Sequence, residues 1–204
     1  RTIEGTVRLT AGTLKMTTGG MFRLVNYKNS QVGKEPGYID KAKPKDDTVP
    51  SIQLTSFDEK DVEHKNITDL KEFKDKLSDN SYIKWLNFIG GASAEELQEL
   101  SDITGVHHMV LEDIQNPFHN SKVEEYDDHL FIIVQVFNIH PITGNPEILS
   151  VKLLVGDGYL ITFMSRPFPL FLGLFKRLYK SGTRVRRRGL MYFLFAVLDM
   201  LADS

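Results

Sequence analysis

The chain has 204 residues, 41% of them hydrophobic, with a formal net charge of −2 and no cysteine. Such a length and composition support one sizeable core, so a single domain is the default reading, and the missing cysteines exclude disulfides and thiolate metal sites and fit a reducing compartment. Any metal ligand must therefore be oxygen or imidazole, and no uninterrupted apolar segment reaches the roughly 18 to 20 residues that span a bilayer.

Residues Arg1–Gly20 are rich in Thr and Gly with weak periodicity and read as either an added leader or a loose extension. A start at Arg1, and a stop at Ser204 inside a helical pattern without a Gly, Asn or Pro signal, read as a fragment of something longer. Gly33–Asp47 is loop-like, with a short strand expected at Tyr38-Ile39. Ser51–Phe57 alternates apolar and polar residues, which predicts a half-buried strand. In Thr68–Leu77, Thr68 is placed to cap a helix whose one face carries Leu70, Phe73 and Leu77. Tyr82–Phe88 predicts a second strand ended by Gly90-Gly91, and Ser93 with Glu96 forms a capping box for a helix that Gly105 stops.

Two long strands follow, His129–Ile139 and Glu147–Val155, and the turn-rich residues between them predict antiparallel pairing. Tyr159–Met164 extends this meander as a third strand, and helical patterns run from Phe168 to Tyr179 and from about Arg188 to the end. The predicted class is α/β: an α/β/α sandwich whose mixed, partly antiparallel sheet is covered by helices on both faces.

The chemistry concentrates just before Pro117, where Glu112 and Asp113 offer hard oxygen ligands. If helical, these neighbours point about 100° apart and serve different partners. The plainer reading has Asp113 capping or salt-bridging a turn. Asp199 and Asp203, spaced i,i+4, share a face of the otherwise apolar last helix, where a carboxylate is costly unless it reaches water or a cation. The six histidines have no zinc spacing, and neither a phosphate-binding glycine loop nor a nucleophile elbow is present, so no enzyme is expected. Lys176–Arg188 holds seven basic residues and no acidic one; a solvated loop, an anionic lipid surface or an acidic partner would each suit it.

Several landmarks stand together in order: Gly37-Tyr38-Ile39, Trp85-Leu86-Asn87, Leu111–Asn116, Lys122-Val123-Glu124, Arg187-Arg188, Tyr192-Phe193-Leu194 and Leu198–Asp203. From about Lys34 to Ser204 the chain thereby resembles the cytosolic domain of the CorA family of magnesium and cobalt channels. The resemblance implies an extension over residues 1–33 and, over 34–204, a cytosolic domain cut before the stalk and membrane helices. It implies a homopentamer anchored in the cell inner membrane with this domain in the cytoplasm, where Mg²⁺, or Co²⁺ in its place, binds between neighbouring domains and holds the pore closed. By match to the family, Asp113 belongs to the intersubunit sensor site. Glu112 and Asp199 belong to a second site, and Asp203 is counted with them as a metal ligand. The stalk's partner aspartate is missing, so the sites should be incomplete here. One departure is Phe118-His119-Asn120-Ser121, where many relatives carry His-Gln-Arg-Pro. A zinc-transporting branch shares the fold. The reading from a different class is a stand-alone interaction domain that takes an acidic partner or nucleic acid through Arg184–Arg188, although nucleic acid is not expected.

Overall fold

The computed structural model describes residues 6–9, 12–15, 49–117, 119–139, 144, 146–168 and 171–203. The strand expected at Tyr38-Ile39 lies outside them. In chain order the elements are β1 (Thr6–Leu9), β2 (Gly12–Lys15), β3 (Ser51–Phe57), β4 (Val62–Ile67), α1 (Lys71–Leu77), β5 (Ile83–Ile89), α2 (Ala94–Thr104), α3 (His108–Gln115), β6 (Lys122–Glu125), β7 (Leu130–Ile139), β8 (Pro146–Gly156), β9 (Tyr159–Met164), α4 (Phe171–Tyr179), α5 (Arg184–Arg187) and α6 (Gly189–Ala202). β1 and β2 form a two-stranded antiparallel sheet. The remaining strands make a seven-stranded sheet in the order β4-β3-β5-β9-β8-β7-β6.

β5 and β9 run parallel, and every other neighbouring pair in the seven-stranded sheet is antiparallel. The chain leaves the sheet after β5, builds α2 and α3 over one face, adds β6 to β8 at the far side, and returns beside β5 as β9. Strand side chains point alternately to the two faces, so the sheet carries two cores. On one face Leu54, Leu86, Phe131, Ile133 and Leu154 pack with Phe73 of α1, Leu97 and Leu100 of α2, and Val110, Leu111 and Ile114 of α3. On the other, Trp85, Ile132, Leu153 and Leu160 pack with Phe171 and Leu174 of α4, Val185 of α5, and Phe193, Val197 and Leu201 of α6. This is the α/β/α sandwich expected from the sequence.

A buried polar chain sets the register of the central parallel pair. Trp85 Nε1–H donates to Thr162 Oγ1 at 3.0 Å, and the Thr162 hydroxyl donates to Asn87 Oδ1 at 2.7 Å. Asn87 and Thr162 are register partners across β5 and β9. A slip of either strand by one residue would turn its group to the opposite face and leave buried hydrogen-bonding groups without partners, at about 1 to 3 kcal/mol each. Around this chain the Trp85 ring is stacked on Phe171 at 5.5 Å and met edge-on by Phe193 at 5.4 Å.

The local expectations were met unevenly. The Ser93–Glu96 capping box is complete, and Gly105 ends α2 at φ 72°. α1, by contrast, starts at Lys71, and the Lys71 N–H is taken by Asp69 Oδ1 at 2.8 Å, so Thr68 is not its cap. β3 is not half-buried: even Thr55 and Ser56 are covered, because helices lie on both faces. β1, β2, β4, α3, β6 and α5 are not predicted from the sequence; β4 is a polar edge strand, and α5 is a single turn.

At the β8–β9 turn a side chain on Gly156 would overlap the ring of Tyr159, which is 5% exposed and whose hydroxyl is 2.8 Å from His129 Nε2. Gly156→Ala is therefore expected to destabilise the chain by roughly 1 to 3 kcal/mol, read as a lowered midpoint in urea unfolding; an unchanged midpoint would contradict this packing.

Candidate metal-sensing site

The site is built at the end of α3. His107 opens the helix by accepting the Met109 N–H at ring Nδ1, 3.2 Å away. Val110, Leu111 and Ile114 anchor one face in the core, which leaves Glu112 and Asp113 half-buried on the other. The helix stops because Pro117 bars the preceding residue from helical geometry: Asn116 is extended, at φ −77° and ψ 117°. Glu112 and Asp113 are thus helical neighbours, the geometry in which they address different partners.

A helix C-terminus carries partial negative charge, so an aspartate in the last turn needs cations nearby. Two lysines from outside the helix supply them, and a histidine stands beside the carboxylate. Lys152, standing on β8 beneath α3, donates from Nζ to the Ile114 carbonyl at 2.7 Å. Lys122, at the start of β6, places Nζ 2.6 Å from Asp113 Oδ2 and 2.9 Å from Glu124 Oε1. His119 brings Nε2 to 2.7 Å from Asp113 Oδ1. Both carboxylate oxygens of Asp113 are engaged, and Tyr126 donates its hydroxyl to the second oxygen of Glu124 at 3.1 Å.

The electrostatics follow burial and pairing. Lys152 is 7% exposed, and burial pushes its amine down to about 8 even though the Asp113 charge pulls it up. Burial also works against the Lys122 charge, but its bonds to Asp113 and Glu124 outweigh it and raise that amine above the ordinary lysine range. The Lys122 ammonium in turn holds Glu124 below the usual glutamate range.

Asp199 and Asp203 lie elsewhere. Asp199 is exposed in the last turn of α6, and Asp203 caps that helix, its backbone N–H donating to the Asp199 carbonyl at 3.1 Å. α3 covers one face of the sheet and α6 the other. The two acidic pairs of one chain are therefore divided by the sheet, and among the described residues no group of three or more His, Asp or Glu could hold a metal ion. The donor chemistry suits Mg²⁺, which takes hard oxygen ligands, but one chain does not assemble a full set.

The basic stretch also differs from a solvated loop. Arg186 is 6% exposed, and its Nε–H donates to the Asp58 carbonyl at 2.8 Å, which ties α5 to the β3–β4 turn. Arg184, Arg187 and Arg188 remain exposed, with the Arg188 guanidinium 5.5 Å from the centre of the Tyr192 ring. Position along the sequence assigns no role to Lys122, His119, Glu124 or Lys152. A lysine inside the apolar run Val151–Val155 was the one signal for the last of these.

A seven-stranded mixed sheet between two helical layers, with an acidic helix end ringed by lysines, defines a class of α/β/α domain that the comparisons narrow. The family described as CorA-like Mg²⁺ transporter protein matches residues 80–204, and the chain belongs to that family. It is 25% identical over 151 residues to the cobalt/magnesium transport protein CorA of Thermotoga maritima, covering 71% of this chain and 43% of that protein. The chain thus spans less than half the length of that relative. Its fold is similar to the soluble domain of CorA from Methanocaldococcus jannaschii, at TM-score 0.55 and 17% identity over 74% of this chain and 56% of that one. It is similar too to the ZntB cytoplasmic domain from Vibrio parahaemolyticus, at TM-score 0.53 and 13% identity over 74% and 57%.

Lys152 gives a pH signature. Its amine is depressed from 10.5 to about 8 in the folded chain, so between those values the unfolded chain holds more protons and stability rises with pH. Denaturation of wild type and Lys152→Met at pH 7.5 and 10.5 is expected to show the difference moving towards wild type, by at most about 3 kcal/mol. A pH-independent difference would contradict the buried ammonium.

Proposed function

We propose that this chain is the cytosolic regulatory domain of a divalent-cation transporter, with Mg²⁺ as cargo and effector and Co²⁺ as its substitute. The observation that carries the reading is the division of the acidic pairs between opposite faces of the sheet. Glu112 and Asp113 on one copy can share an ion with Asp199 and Asp203 only if those come from another copy, as subunits arranged around a ring would supply them. Family membership supports the same reading.

Mg²⁺ holds its ligands at about 2.0 to 2.1 Å in an octahedron and keeps several waters, so carboxylates meeting across an interface would form a weak site suited to sensing. Binding closes the assembly only as far as the ion prefers the closed arrangement. In a pentamer with one such site per subunit, roughly sixfold preference at each multiplies to the ~10⁴ that converts a mostly open population into a mostly closed one. Weak individual sites are therefore enough.

No helix among the described residues is long and apolar enough to cross a membrane. We assign conduction to membrane helices outside this chain, with the domain on the cytoplasmic side of the cell membrane and no catalytic step of its own. Mg²⁺ and Co²⁺ are preferred to Zn²⁺ because the relative matched in sequence is named for cobalt and magnesium, whereas the likeness to ZntB is one of fold.

The test uses the intact transporter in liposomes. Mg²⁺ added on the side of this domain is expected to suppress cation flux, and Asp113→Asn or Asp199→Asn to raise the half-suppressing Mg²⁺ concentration at least threefold. Flux curves that superimpose for wild type and both variants would overturn the reading.

A further inference from the structure

We propose that Lys122 is a tethered competitor of the divalent cation at Asp113, and so sets how much cation is needed to occupy it. The inference rests on the reading of Asp113 as an ion ligand. Lys122 Nζ bridges two carboxylates from different elements, at 2.6 Å from Asp113 of α3 and 2.9 Å from Glu124 of β6. The two acceptor oxygens can be no further apart than those two bonds laid end to end. An octahedral ion with bonds of about 2.0 to 2.1 Å spans at most about 4 Å between two oxygens, so the carboxylates would close in around an ion that replaced the ammonium. The ammonium therefore occupies the place from which a cation would join Asp113 to Glu124.

The remaining Asp113 oxygen faces His119 Nε2 at 2.7 Å. An incoming ion must consequently displace a neighbour from Asp113 before it can bind there. Lys122 is not easily displaced: its side chain is 28% exposed and that of Asp113 18%, so the pair is shielded from solvent and outweighs an open surface ion pair. The competition also reaches the fold. Lys122 begins β6 opposite Ile133 of β7, so releasing Asp113 removes one tie between the end of α3 and the edge of the sheet, while the Lys152 bond to Ile114 remains. Take the ammonium away, and the carboxylates of Asp113 and Glu124 are left facing each other without the charge that joins them.

The experiment is a Co²⁺ titration of the chain followed by calorimetry and by amide NMR shifts, for wild type, Lys122→Met, Lys122→Arg and Lys122→Met/Asp113→Asn. Lys122→Met is expected to bind Co²⁺ at least tenfold more tightly than wild type, with shifts centred on Asp113. Lys122→Arg should stay within threefold of wild type, and the double variant should lose the gain. A folded Lys122→Met that binds no more tightly than wild type overturns the proposal. Should that variant melt early, its melting temperature is expected to rise more with Co²⁺ than that of wild type, and an equal or smaller rise overturns the proposal as well. The sensing reading fails separately, if Asp113→Asn leaves the Mg²⁺ response of the intact transporter unchanged; this inference fails alone if that response shifts while Lys122→Met binds no more tightly.

Discussion

An aspartate in the last turn of a helix sits where the backbone carbonyls already make the potential negative, at a cost of roughly 0.3 to 1 kcal/mol. The arrangement around Asp113 follows from meeting that cost. Lys152 neutralises the carbonyl end of α3 from below, and Lys122 and His119 take the two carboxylate oxygens from the side. These partners come from β8, from β6 and from the loop between α3 and β6, so one helix end binds three parts of the chain together. The acid is held by the same interactions that hold the helix.

The sheet supplies the second constraint. Its centre is the parallel β5–β9 pair, with the Trp85–Thr162–Asn87 chain fixing the register and aromatic rings packed around it. A plate fixed in this way does not let α3 and α6 approach each other, and the acidic pairs they carry stay on opposite sides. For a metal site inside one chain that would be a fault. In an assembly of copies it presents one half of a site on each of two surfaces. On the proposed function, sensing would be a property of the interface, where a weakly held ion acts on an equilibrium between arrangements through its differential affinity for them.

How much of this was legible in the sequence varies with the range of the interaction. Strands with a strong apolar pattern, such as Leu130–Ile139 and Tyr159–Met164, and caps written in adjacent residues, such as Ser93 with Glu96, were readable because their signals are local. Val62–Ile67 was not, because an edge strand of polar residues owes its conformation to pairing with β3. The acidic candidates Glu112 and Asp113 stood out by residue type and by family resemblance. Their cationic partners did not, since Lys122 and Lys152 are brought to Asp113 by the pairing of β6, β7 and β8 and not by any spacing along the chain. Arg186 misled for the same reason: its place in a basic run concealed that it turns inward to Asp58.

The most direct test of a site shared between copies exploits the absence of native cysteine. Glu112→Cys and Asp199→Cys are introduced into the intact transporter, separately and together, and oxidised with and without Mg²⁺. The account predicts disulfide-linked dimers and higher species for the double variant, formed faster with Mg²⁺, and little crosslinking for either single variant, because the two positions of one chain face opposite sides of the sheet. A double variant that stays monomeric under oxidation in Mg²⁺, in a protein that still assembles, would contradict it.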